Sequence, residues 1–299
     1  MNDRGAHFAT DIGLPDSYTT DQGLEHLAAY IVQNQGVFEP KLVNGDHANH
    51  LMLSYYRNPL NQVFFNEAII LASMHSFGLE SQWQAGVDVD QLFERACFLS
   101  ILLKREEFIQ TRITKDNRRF FDEKIQFMID KRILISKQAD PSKLVLRTSG
   151  ESQIVFIQSL IFPMVDSYYV VLIYILTFIK NKGIDTTSFA RNIQWLSELL
   201  FKQGSIQYFE SCNQESIKNA LQTFSELGVL QKQGNYVELN EQFQDEKEEG
   251  KERPIVDMLH QINKYRSKSQ IGDVLMLNDP KKGLFRRSML AQFPFMAKL

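Results

Sequence analysis

The residues of this chain best suited to chemistry by type and spacing are Tyr55-Tyr56-Arg57-Asn58, set between Leu51-Met52-Leu53-Ser54 and Pro59-Leu60-Asn61-Gln62-Val63-Phe64-Phe65. Two aromatics, a fixed cation and an amide in an apolar helical run cost desolvation unless their polar ends find partners. Two readings follow. Arg57 can pair phosphate oxygens bidentately, which makes the block a contact for a phosphate or for acyl-CoA. Alternatively, the four residues form a structural network, with Arg57 satisfied by a carboxylate or helix carbonyls and the tyrosines packed at a domain seam. His47 and His50, beside Asp46, have the spacing of a two-ligand metal pair on one helix face. No third or fourth ligand stands near them in the sequence, so no metal site is expected. The sequence contains no Gly-rich phosphate loop, no Gly-x-Ser-x-Gly elbow and no Cys-x-x-Cys pair, which gives other enzyme classes no foothold and predicts no bound cofactor.

The elements that must position these residues belong to a folded, mainly α chain. With 43% apolar and 11% aromatic residues, the 299-residue sequence can bury a substantial core. Its 33 basic and 36 acidic residues leave a net charge of -3, so no global field draws it to nucleic acid or anionic lipid. Cys97 and Cys212, both in apolar helical sequence, predict buried thiols and a reducing compartment. Residues 1–20 are polar and are expected to be disordered, with neither the apolar core of a signal peptide nor the Arg-rich pattern of a transit peptide. Helical periodicity then predicts helices over about 21–34, 48–77 (with Pro59 as a kink or break) and 89–104.

The pattern next repeats itself. A helix at about 120–131 leads into Arg132-Ile133-Leu134-Ile135-Ser136, an Asp140-Pro141 turn and Leu144-Val145-Leu146-Arg147-Thr148. A helix at 216–227 leads into Gly228-Val229-Leu230-Gln231, a turn at Gln233-Gly234-Asn235 and Tyr236-Val237-Glu238-Leu239. In both, the apolar period switches from 3.6 to 2 across turn residues, which predicts two small β-hairpin, winged-helix-like units at about 118–148 and 213–240. A helical pair at 151–181 and 186–203 separates them. Their recognition-helix positions carry Lys124 and Lys131 against Asp122, Glu123 and Asp130, and Lys218 against Glu215 and Glu226, a balance that argues for packing modules and against nucleic acid. The stretch from Ile154 to Ile179 is as long as a bilayer span, but Gln158, Pro163, Asp166 and Ser167 interrupt it. Two buried helices are expected there, the second starting near Pro163. Beyond residue 240 come a charged linker around Asp245–Arg253, a short helix over Pro254–Tyr265 and a tail carrying Lys281-Lys282 and Arg286-Arg287.

Three blocks resemble one family. Leu53 to Asn58, Phe162-Pro163-Met164-Val165-Asp166-Ser167-Tyr168, and Ser216-Ile217-Lys218-Asn219-Ala220-Leu221 leading into Leu227-Gly228-Val229 are similar to the region downstream of the catalytic domain in glycerol-3-phosphate and dihydroxyacetone-phosphate acyltransferases. Catalysis in that family uses His-x-x-x-x-Asp, the carboxylate orienting the imidazole that takes the acceptor hydroxyl's proton. None of His7, His26, His47, His50, His75 and His260 has Asp five residues on; His75 has Glu80. The resemblance therefore implies a C-terminal domain without the catalytic half and no catalytic residue in this chain, with acyl-CoA a co-substrate of the parent enzyme only. It implies a fragment or separate subunit docking on an acyltransferase catalytic domain; the alternative is a stand-alone peroxisomal interaction module binding a lipid-synthesis partner. The terminal Ala297-Lys298-Leu299 follows the small-basic-apolar pattern of a peroxisomal address, and the branch acting on dihydroxyacetone phosphate in ether-lipid synthesis ends in the same three residues. These features predict capture by the peroxisomal import receptor and residence on the matrix side of the peroxisomal membrane, with a mitochondrial or other intracellular membrane as runner-up. Contact with a membrane surface is expected only through the parent enzyme.

Overall fold

A computed structural model describes residues 62–106, 111–148, 151–178, 184–233, 236–244 and 254–267. The chain divides into two compact units, Met1–Phe64 and Phe65–Leu299, and of the first only residues 62–64 are described, as helix. The expected N-terminal disorder, the helices before residue 62 and the C-terminal tail lie outside the described residues. So do most of the charged run and the blocks Tyr55–Asn58 and Ala297–Leu299.

The second unit is mainly α with two small antiparallel sheets, as the periodicity predicts. Helix α1 (residues 62–75) buries Phe65, Ala68, Ile69, Ile70, Leu71, Ala72 and Met74. A π-helical turn, Ser81–Ala85, then leads through Gly86 into β1 (Val87–Asp88) and α2 (Val89–Leu102). Gly86 has φ +89°, a conformation L side chains rarely adopt, and a Cβ there would also crowd Lys143 Cβ at 3.1 Å, so glycine is favoured where this turn presses against the hairpin. Asp88 caps α2, its Oδ1 accepting from the Asp90 and Gln91 amides at 3.0 Å each. Helix α3 (Arg118–Asp130) follows, burying Phe121, Ile125 and Met128 along one stripe. The hairpin of β2 (Leu134–Lys137) and β3 (Asp140–Leu146) completes a sheet in the order β1-β3-β2.

The same order of elements recurs. Helices α4 (Glu151–Ser159) and α5 (Phe162–Phe178) precede β4 (Ile184–Asp185), α6 (Thr186–Lys202), α7 (Gln214–Glu226) and the hairpin β5 (Leu230–Gln233)–β6 (Tyr236–Leu239), whose sheet runs β4-β6-β5. Each module is thus helix, short strand, two helices, hairpin, with the short strand pairing on the last one. The sequence shows only the helix–hairpin half of each, because Val87–Asp88 and Ile184–Asp185 are too short to display an alternating period. The pair α5 and α6, read from sequence as a separator, supplies the leading helices of the second module.

Both modules turn from their third helix into the hairpin in the same way. Ile133 N donates to Met128 O (2.9 Å) around Arg132 at φ +58°, and Val229 N donates to Phe224 O (2.9 Å) around Gly228 at φ +73°. This is a Schellman end with a left-handed residue, which glycine adopts freely and arginine only at a cost.

Helix α5 is the axis of the second module, buried from Val165 through Ile175. It meets α4 at a 41° bend near Pro163, the break expected from sequence. Among the described residues no single helix is long and apolar enough to cross a membrane, although α4 and α5 taken together pass that test. The expectation that both helices are buried holds for α5 and for one face of α4, which buries Ile154, Ile157 and Gln158 while Val155 and Phe156 are exposed. A short helix α8 (Glu241–Gln244) and then α9 (Pro254–Asn263) close the described chain, with α9 packed against α5. The two modules meet where Lys104 and Arg105, just past α2, pair with Glu226 of α7 and Ser216 Oγ donates to Glu106 (2.8 Å). Gln158 of α4 also donates to the Leu71 carbonyl of α1 at 3.0 Å.

Candidate functional site

The densest buried polar constellation among the described residues centres on Asp166, from the Phe162–Tyr168 block. A carboxylate in the most apolar helix of the chain demands a desolvated cation, and Arg266 supplies it from just beyond α9. Arg266 Nε donates to Asp166 Oδ1 at 2.6 Å with both side chains 1% exposed. The other guanidinium nitrogens donate to Ser205 O (2.6 Å) and Asn263 Oδ1 (3.2 Å), and Cζ lies 3.8 Å from the centre of the Tyr169 ring. Next to this group Ser167 Oγ stands 3.0 Å from both the Pro163 and Ser211 carbonyl oxygens. Buried charges of opposite sign, hydrogen-bonded on several sides, clamp three segments together: α5, the turn after α6 and the end of α9. The cluster is sealed from solvent, so it offers no open position to a reacting group.

His75, the histidine with Glu80 five residues on, belongs to the edge of this clamp. Its Nε2 donates to the Arg266 carbonyl at 3.0 Å and its ring meets Phe162 edge-on with centroids 5.6 Å apart. Burial lowers its pKa from the ordinary value, and the bond to Arg266 opposes that shift. An imidazole held neutral against a backbone carbonyl is a packing element. Glu80 instead lines an open surface cavity of about 470 Å³ with Leu79, Trp83, Gln84, Thr148 and Glu151.

A second cavity, about 400 Å³, lies between α2 and α9 and is lined by Arg95, Asp257, His260, Gln261, Lys264 and Tyr265. Arg95 is fixed there, its Cζ 3.4 Å from the Phe77 ring centre and its Nη1 donating to Ser76 Oγ at 2.8 Å. Burial lowers the Arg95 pKa and the Tyr265 hydroxyl opposes it. That hydroxyl donates to the Arg95 carbonyl (3.2 Å), tying α9 to α2. Among the described residues no group of three or more His, Cys, Asp or Glu side chains could hold a metal ion. The pair His47 and His50 lies outside them, as do Tyr55, Tyr56, Arg57, Asn58, Ala297, Lys298 and Leu299.

The block that places Asp166 on α5 and the block that forms α7 stand at structural joints: the first binds α9, and the second carries Ser216 and Glu226 to the first module. Residues 1–233 match the family model described as "Glycerol-3-phosphate acyltransferase C-terminal region". The chain belongs to that family. Within this acyltransferase C-terminal region, the match covers Asp166, Ser216 and Glu226, whereas α9 and Arg266 lie beyond it. The chain is also similar to dihydroxyacetone phosphate acyltransferase of Mus musculus, 26% identical over 231 residues, which is 74% of this chain and 32% of the mouse protein. It is 26% identical over 198 residues to the Bos taurus protein of the same name, covering 65% of this chain and 27% of that one. The chain thus spans a third or less of the length of these relatives.

Arg266, Arg95 and Trp83 were not singled out by sequence. Asp166 was the available signal for the first, since a carboxylate amid α5 requires a buried partner. Spacing could not identify which cation a hundred positions away would supply it.

Proposed function

We propose that this chain is the C-terminal, non-catalytic region of an acyl-CoA-dependent O-acyltransferase that acylates glycerone phosphate or glycerol 3-phosphate in phospholipid and ether-lipid synthesis. The family match over residues 1–233 carries the reading, and the names of the mouse and bovine relatives favour glycerone phosphate as acceptor. The absence of Asp five residues after any of the six histidines supports a non-catalytic role. A scaffold role is supported by the clamp around Asp166, where charge is spent on joining helices and none is left open to substrate. Its partner in this reading is the acyltransferase catalytic domain. Peroxisomal residence is supported by Ala297-Lys298-Leu299, which the import receptor would read.

The test is reconstitution. The purified chain is assayed with labelled acyl-CoA and glycerone phosphate, alone and together with the preceding two thirds of the mouse relative. No turnover alone, and activity or stability of the catalytic part that depends on adding this chain, is the expected result. Acylation by this chain alone overturns the non-catalytic assignment. No effect on the catalytic part overturns the docking role.

A further inference from the structure

We propose that the open groove between the π-helical turn and α4 is the docking site of this chain's own basic, aromatic segment, residues 281–296. The inference stands independently of the acyltransferase reading. The groove is the cavity of about 470 Å³ lined by Leu79, Glu80, Trp83, Gln84, Thr148 and Glu151. That volume falls in the ~300–1,000 Å³ range in which pockets bury sizeable apolar groups. Val155 stands one turn beyond Glu151 on the same face of α4. Leu79 is 69% exposed, Val155 52% and Phe156, its neighbour, 43%. Single exposed apolar residues are ordinary, but Leu79 and the half-buried Trp83 line one open cavity, and Val155 and Phe156 add exposed apolar surface on the adjoining α4. Lys137 Nζ donates to the carbonyls of Gln84 (3.1 Å) and Ala85 (3.0 Å), which ties the π-helical turn to the hairpin.

Charge and length select the occupant. Glu80 and Glu151 are the charged members of the lining, and neither carboxylate is paired among the described residues. The groove therefore suits an apolar segment flanked by cations. Residues 281–296 read Lys-Lys-Gly-Leu-Phe-Arg-Arg-Ser-Met-Leu-Ala-Gln-Phe-Pro-Phe-Met, with Lys281, Lys282, Arg286 and Arg287 and no acidic residue. Leu284 and Phe285 sit between the two basic pairs, so an aromatic side chain can enter the cavity while cations meet the rim carboxylates. The described chain stops at Ser267, and the 13 residues from 268 to 280 can span up to ~43 Å at ~3.3 Å per residue. That reach is about the width of a folded unit of ~200 residues. Docking covers the apolar surface exposed at the groove.

The full-length chain with Val155→Cys and Phe285→Cys tests this by treatment with a short bismaleimide at low protein concentration. Cys97 and Cys212 are buried, and burial pushes their thiols up to about 11 and about 12, so the introduced pair reacts selectively. The expected result is an intramolecular 155–285 link, reduced at least tenfold when Lys281, Lys282, Arg286 and Arg287 are all changed to Glu. A control pair of Leu227→Cys, exposed on the second module, with Phe285→Cys is expected to link at least tenfold less. The proposal is overturned by absence of the link while a monofunctional maleimide labels both thiols, by links between separate chains only, by insensitivity to charge reversal, or by equal linking in the control pair.

Discussion

Replacing Arg266 with Met leaves the Asp166 carboxylate buried on α5 with its principal cation removed. It also strips the Ser205 carbonyl of the guanidinium that donates to it at 2.6 Å. Breaking a buried pair from one side costs about 3–5 kcal/mol, because the remaining charge keeps its desolvation penalty. A folded domain has only about 5–15 kcal/mol in total. For ~200 residues each kcal/mol moves the melting temperature by about 2–4 °C, so Arg266→Met should melt roughly 6–20 °C below the parent. Asp166→Leu should lose a comparable amount by stranding Arg266 over Tyr169. Asp166→Asn, which keeps an acceptor facing Nε, should lose less. The double variant Asp166→Leu/Arg266→Met removes both charges and should be more stable than either single variant. Thermal melts followed by circular dichroism give these differences. Hydrogen exchange over residues 254–263 locates the damage, since α9 should open first. The reasoning fails if Arg266→Met costs less than about 1 kcal/mol, or if the double variant loses the sum of the two singles.

Two further consequences are measurable. Burial depresses the His75 pKa, so the native state binds fewer protons than the unfolded chain below the ordinary value of ~6.5. The contribution of neutral His75 is therefore present above pH ~6.5 and lost as pH falls through the depressed native value. Urea midpoints between pH 7.5 and 5 should fall less in His75→Gln than in the parent, and an identical slope would refute the assignment. At the paired Schellman ends, Gly228→Ala forces a side chain to φ +73° where its Cβ would meet only Gln242 at 3.5 Å, so backbone strain alone should cost about 1 kcal/mol. Arg132→Gly should stabilise by about 0.5–1 kcal/mol for the converse reason, and urea titrations giving the opposite order would show that tertiary contacts set those turns.

Local pattern made much of the fold legible before any coordinates. The change of period from 3.6 to 2 after α3 and α7 located both hairpins, Pro163 located the bend ahead of α5, and the family blocks pointed to the acyltransferase C-terminal region, because these signals reside in neighbouring residues. The two-residue strands β1 and β4 carry no period and become strands only when β3 and β6 lie beside them. The tertiary structure alone decided that α5 and α6 open the second module, that α4 leaves Val155 and Phe156 exposed, and that Arg266 is the cation Asp166 requires. A sequence can state that a buried carboxylate needs a partner. The choice among 33 basic residues depends on packing across a separation of 100 positions, which the folded chain alone specifies.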